Sequence, residues 1–175
     1  MSDLTRRSLT LGLLGGAAAA CSGQANGKDT TMADTKSDSS SIPDYDQWQL
    51  SNKEWKTRLS PEAYAVLRKE ATERPRSSEL NDEKREGVYA CAGCSFDLFK
   101  SADKFESGTG WPSFIDYIPG ALETKRDFKL LLPRTEYHCV RCGGHQGHLF
   151  KDGPAPTGLR YCNNGVALTF RPDEA

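Results

Sequence analysis

Between residues 51 and 75 apolar positions recur at helical spacing, and from Gly87 onward they fall into short runs broken by Gly, Pro and Asp. Ser51-Asn52-Lys53-Glu54 has the form of a capping box: the Ser hydroxyl accepts from the N–H three residues on, and the Glu carboxylate reaches back. Ser60-Pro61-Glu62 starts a second helix, because proline's fixed φ suits the first helical position. Ala63, Val66, Leu67 and Ala71 then share one face, and Pro75 marks the stop. Trp55, Leu59, Tyr64 and Leu67 are expected to dock this helical pair onto the main body. Farther on, Val88-Tyr89, Phe128–Leu132, Thr135–Val140 and Val166–Phe170 have strand character, the last being β-branched and aromatic. The pattern predicts a mainly β, mostly antiparallel domain with helices only at its front.

The first forty residues have another character. Arg6 and Arg7 precede a weakly apolar run, Leu9–Ala20, too short to span a bilayer and typical of an export signal. Thr5–Leu11 is similar to a twin-arginine signal of the kind that exports folded proteins. Ala18-Ala19-Ala20-Cys21 is similar to a bacterial lipobox, which would leave a lipidated Cys21 as the new N-terminus. Alternatively the alanines form an Ala-x-Ala site and Cys21 is incidental. The lipoprotein is the favoured reading. Residues 22–41, rich in Ser, Asp, Thr and Gly, lack the apolar area to offset ordering entropy and read as a disordered tether. The expected organisation is a signal over 1–21, the tether over 22–41 and a folded domain over 46–173. The expected location is periplasmic or membrane-tethered.

Composition narrows the function. The 23 basic and 24 acidic residues among 175 give a net charge of −1, which argues against a nucleic-acid partner. No long apolar run follows the N-terminus, so membrane contact is expected only through a lipid on Cys21. Of six cysteines, four form two C-x-x-C pairs, Cys91/Cys94 and Cys139/Cys142, separated by 44 residues. Two such turns can build a four-sulfur tetrahedral cage, and with all ligand positions filled by protein the zinc it suits would be structural. Disulfides or a thioredoxin-type redox centre compete. Neither pair, however, has the strand–helix flanks of a thioredoxin unit.

Cys162 is left over, in Arg160-Tyr161-Cys162-Asn163-Asn164. A lone cysteine is most often an inert buried hydrophobe. Here Arg160 would favour a thiolate, and Asn164 would project to the same strand face. His145 and His148 would face opposite ways in a regular strand, but a bulge permitted by Gly147 would bring them together, with Asp152 nearby. The histidines read either as metal-binding or core hydrogen-bonding residues, or as acid–base partners for a thiol. In Ser107–Phe114, Gly and Pro shape an irregular loop in which Trp111 and Phe114 offer flat walls for a small apolar or methyl-bearing ligand.

Taken together, Gly87-Val-Tyr-Ala-Cys-Ala-Gly-Cys94, Lys104–Phe114, Arg134-Thr-Glu136, Cys139-Val-Arg-Cys-Gly143, Gly144-His-Gln-Gly-His-Leu-Phe150 and Asp152–Cys162 resemble the peptide methionine-R-sulfoxide reductase B family, from about Asp46 to Pro172. The resemblance implies two antiparallel sheets in a sandwich-like arrangement, a structural zinc, and reduction of the R epimer of methionine sulfoxide in oxidised proteins or peptides. It makes Cys162 the nucleophile and packs Trp111 on the substrate methyl. His145, His148 and Asn164 then line the polar side, while Arg160 and Asp152 activate or orient the thiolate. A thiolate attacks a sulfoxide only if the oxygen can be protonated, a task for His148, and Cys162 leaves the step as a sulfenic acid.

Many relatives carry a second, resolving cysteine where this chain has Thr109. No intramolecular disulfide is therefore expected, and a thioredoxin-like dithiol or a small thiol would regenerate Cys162. A monomer is the default. Gln146, Leu149, Asn163, Gly165 and Arg76 also depart from the commoner family residues without emptying a proposed catalytic position. Two rival readings are a non-catalytic zinc-ribbon binding module and a dithiol oxidoreductase working through the C-x-x-C pairs.

Overall fold

The computed structural model describes residues 39–129 and 133–174, all within one compact unit spanning 31–175. The expected signal lies outside the described residues, as does all of the tether except its end, where Ser39–Ser41 form a 3-10 turn and Ile42 is buried.

Both helix starts form as their sequences predict. Helix α1 (Asn52–Arg58) begins at a complete capping box, Ser51 N donating to Glu54 Oε2 at 2.8 Å. Helix α2 (Pro61–Lys69) is capped by the Ser60 hydroxyl, which accepts from Ala63 N at 3.1 Å. It ends earlier than Pro75. Glu70 adopts a left-handed conformation (φ 55°), and Ala71 N donates back to Ala65 O. Glu there costs about 1 kcal/mol relative to Gly, and its carboxylate is tied to Lys125 and Lys129. Trp55, Tyr64 and Leu67 are buried as expected, and Leu59 packs at the margin. No helix among the described residues is long and apolar enough to cross a membrane.

Among the described residues nine strands follow: β1 (Gly87–Cys91), β2 (Asp97–Lys100), β3 (Lys104–Phe105), β4 (Ser113–Phe114), β5 (Leu122–Asp127), β6 (Arg134–Cys139), β7 (His145–Phe150), β8 (Arg160–Asn163) and β9 (Leu168–Pro172). They form a three-stranded sheet, β2-β1-β9, and a six-stranded sheet, β3-β4-β8-β7-β6-β5, with every pairing antiparallel. Aromatic side chains bridge the two sheets. Phe99 of β2 stacks on Phe114 of β4 at 4.1 Å, and Tyr89 of β1 meets Phe114 edge-on at 5.0 Å. Tyr137 and Tyr161, 5.4 Å apart, complete this core.

The strand expected over Phe128–Leu132 does not form at its described residues, Phe128 and Lys129. The chain pairs instead through Leu122–Asp127, and Phe128 is 67% exposed just beyond that strand; residues 130–132 lie outside the described set. Strand β5 is a sheet edge, so its middle residues Glu123–Arg126 stay polar and carry little hydrophobic signal.

Candidate active site

Two similar turns bring the paired cysteines together. In the first, Ser95 N donates to Cys91 O at 2.7 Å and Ser95 is left-handed (φ 60°); in the second, Gly143 N donates to Cys139 O at 2.8 Å with φ 64°. The four buried sulfurs lie within 4.8 Å of one another, and the Cys91–Cys142 and Cys94–Cys139 separations are both 3.6 Å. A tetrahedron of sulfurs about 2.3 Å from zinc has edges of about 3.8 Å, so the arrangement fits a structural zinc. Such an ion would clamp the end of β1 in one sheet to the end of β6 in the other. A separate, solvent-reachable thiol remains at Cys162.

Cross-strand register places the residues around that thiol. Glu136 on β6 pairs with His148 on β7, His148 with Cys162 on β8, and Cys162 with Ser113 on β4. Directly opposed residues share a sheet face, so this row lies on the side away from the aromatic core. Arg134, Phe150 and Arg160 follow at alternate positions on the same face. The expected bulge exists: Tyr137 pairs with Gly147 but His138 with His145, leaving Gln146 extra. It brings the His145 and His148 rings to 5.3 Å. Gly147 must lack a side chain, because a Cβ there would sit 1.9 Å from the Cys162 carbonyl oxygen.

A cleft of about 140 Å³ opens over the row, lined by Thr72, Trp111, His148, Phe150, Cys162 and Asn164 among others. Trp111 is held upright by its Nε1–H, which donates to Glu73 O at 3.2 Å. Phe114, expected as the second wall, is not in the cleft. It is fully buried in the inter-sheet core, because Ser113, not Phe114, shares the face of Cys162; Phe150 takes the wall position. Asn164 lines the cleft with its amide committed, Nδ2 donating to Gln146 O at 2.9 Å and Oδ1 accepting from Glu73 N at 3.1 Å. Arg160 lies over the Phe150 ring at 4.3 Å, and its Nε and Nη2 donate to the two Asp152 oxygens at 2.8 Å each. Asp152 is thus bonded to the site through Arg160.

Burial pushes the Cys162 thiol up, and it stays up although the Arg160 charge and hydrogen bonds from Thr109 and Arg160 pull it down. Thus Arg160 alone does not leave a thiolate at rest. Burial lowers the His148 pKa, and the Arg134 charge adds to this against the pull of Asp127. His148 Nε2 is 2.8 Å from Asp127 Oδ2, which also accepts from Arg134 Nη2 at 2.7 Å. Although burial opposes ionisation, the bonds from Lys129 N, His148 and Arg134 hold the Asp127 carboxyl well below the usual range. His148 is therefore a neutral imidazole with its proton on Nε2 and a bare Nδ1. His145 bonds Glu136 through Nδ1 at 2.7 Å, and its buried Nε2 has no hydrogen-bond partner among the described residues. Sequence reasoning missed Asp127 and Thr72. Asp127 meets His148 only through pairing across two strands, which no local spacing reveals.

A two-sheet β fold with a four-cysteine metal cage and one thiol between an indole and an imidazole defines a class, and the comparisons agree. The SelR domain model matches residues 59–172, and the chain belongs to that family. Its relatives include the peptide methionine sulfoxide reductase MsrB of Methanosarcina barkeri, 54% identical over 72% of this chain and 89% of that protein. The proteins of the same name from Leifsonia xyli (51% identical; 71% of this chain and 91% of that protein covered) and Bradyrhizobium diazoefficiens (50%; 70% and 88%) are similar too.

Proposed function

We propose that this chain reduces the R epimer of methionine sulfoxide in oxidised proteins and peptides, with Cys162 as the nucleophile. The observation that carries the reading is the His148–Cys162 cross-strand pair under a cleft walled by Trp111 and Phe150. The substrate's S-methyl group packs on the Trp111 indole, an apolar wall with no polar group for the methyl to desolvate. His148 Nδ1 takes the Cys162 proton as the sulfur attacks the sulfoxide sulfur, and it returns that proton to the sulfinyl oxygen. The S–S bond made in the attack and the substrate S–O bond then break together: the hydroxyl passes to the Cys162 sulfur and the S–S electron pair stays on the methionine sulfur. Methionine leaves with two electrons gained, and Cys162 becomes a sulfenic acid.

Arg160, held by Asp152, stabilises the sulfur's charge as it forms, while His145 and Asn164 complete the polar side. Cys91, Cys94, Cys139 and Cys142 hold a zinc whose part is structural, fixing the sheet ends far from any redox step. With Thr109 beside the nucleophile and the other four described thiols in the cage, regeneration falls to an external, thioredoxin-like dithiol. Its first sulfur condenses with the sulfenic acid and releases water; its second displaces Cys162 as a thiol. The enzyme acts as a monomer, exported by the 1–21 signal and tethered through a lipid on Cys21 by residues 22–41; this part rests on sequence alone.

The test is turnover of the two methionine sulfoxide epimers by the parent and by Cys162→Ser. The parent should consume only the R form and the variant neither, with zinc content and circular dichroism unchanged. An active Cys162→Ser protein would overturn Cys162 as the nucleophile, and a parent that reduces neither epimer would leave the zinc-ribbon binding module as the better reading.

A further inference from the structure

The rim of the cleft on the helical side is the segment between α2 and Pro75, fastened at Glu73, whose N–H and C=O both bond inward as they would in an extended chain. Glu73 makes four inward bonds: its N–H donates to Asn164 Oδ1 at 3.1 Å, its C=O accepts from Trp111 Nε1 at 3.2 Å, and its carboxylate accepts from Gly165 N at 2.6 Å and Val166 N at 2.9 Å. Thr72, one residue earlier, turns the other edge of the chain outward. It is exposed and lines the cleft that holds Cys162, and neither its N–H nor its C=O has a hydrogen-bond partner among the described residues. Beyond Thr72 the cleft continues into a groove of about 430 Å³ bordered by Glu62, Arg74 and Ser77 as well as by Ala71 and Val66.

An extended edge normally finds partners for its main-chain groups, and one fixed in place with them open is a template for a guest strand. We propose that Thr72 is the main-chain recognition point for the substrate polypeptide: the residues flanking the oxidised methionine lie extended along the 71–74 segment, exchanging N–H···O=C bonds with Thr72. The proposal rests on the reading that the cleft takes a methionine sulfoxide side chain. It follows from continuity, because a side chain inserted between Trp111 and Cys162 leaves its own backbone at the rim that Thr72 forms. Glu73 supplies rigidity, so the edge is ordered before substrate arrives and little entropy is lost on pairing. The chemistry suits a substrate of varied sequence. Main-chain bonds are blind to side-chain identity, and the rim groups Glu62, Arg74 and Ser77 are exposed polar chains.

The test uses the full chain with a panel of peptides, acetyl-Ala-Ala-Met(O)-Ala-Ala-amide and its variants in which each backbone N–H in turn is replaced by N-methyl. Methylation at one flanking position should lower kcat/KM about tenfold, mainly through KM, the size expected for one lost main-chain hydrogen bond. Replacing the flanking alanines by Ser, Leu or Lys should change it less than threefold. On the protein side, Thr72→Pro, which deletes the N–H, should raise KM for the parent peptide several-fold, with circular dichroism checking the fold. Efficient turnover of every methylated peptide would overturn the proposal and leave the proposed function standing. A parent peptide that is not turned over at all would remove both.

Discussion

Adding one methyl group at Gly147 tests whether the β7–β8 register positions the nucleophile. A Cβ at this residue would lie 1.9 Å from the Cys162 carbonyl oxygen and 3.1 Å from Asn163 Cα. Carbon and oxygen need about 3.2 Å, so Gly147→Ala must push the strands apart by more than 1 Å where backbone, not a flexible side chain, is the obstacle. Overpacking of this kind costs about 1–3 kcal/mol, and one strained ladder hydrogen bond adds about 1 kcal/mol. The expected total is about 2–4 kcal/mol. With a urea slope near ~2 kcal/mol/M, the unfolding midpoint of the zinc-loaded protein should fall by about 1–2 M. Because the clash is with Cys162 itself, kcat/KM should fall too, by about a hundredfold for a misplacement near 1 Å. Gly120→Ala is the control: Gly120 has φ +79° but nothing within 4 Å of the added carbon, so only backbone strain of about 1 kcal/mol applies and activity should hold. A Gly147→Ala protein with the parent's midpoint and rate would refute the register argument.

Phe114→Leu should cost about 1–2 kcal/mol of stability by loosening the stack on Phe99, and leave KM for peptide sulfoxide within twofold; a raised KM at full stability would return Phe114 to the substrate wall. Purified protein should hold one zinc per chain, and a thiol-directed mercurial should release it and lower Tm sharply; metal release without loss of Tm would contradict the clamp between the sheets. Although burial opposes ionisation of Glu136, its bonds from His138 and His145 hold the carboxyl down to about 2 from 4.5. The stability this contributes, at most about 3 kcal/mol, is present above pH ~4.5 and is lost as pH falls toward 2. Glu136→Gln should therefore flatten the acid limb of the urea midpoint against pH; an unchanged slope would assign acid unfolding to other carboxylates.

Some features were written locally and survived folding. The Ser51–Glu54 cap, the Pro61 start, the two C-x-x-C turns and the bulge near Gly147 each depend on a few adjacent residues, whose backbone preferences act before any distant contact forms. The family motifs likewise carried Cys162, Trp111 and both histidines. Tertiary structure decided the rest. Phe114 and Trp111 looked alike as loop aromatics, but pairing of β4 with β8 sent Phe114 to the core face and left Trp111 at the cleft. The apolar signal at Phe128 pointed to a strand, whereas the edge strand that forms is polar because one flank faces water. Asp127 sits three strands and 35 residues from Cys162, and only the order β8-β7-β6-β5 carries its charge to His148. Local chemistry is fixed by neighbours in sequence; the faces of a sheet and the environments that set proton affinities are fixed by which strands lie side by side.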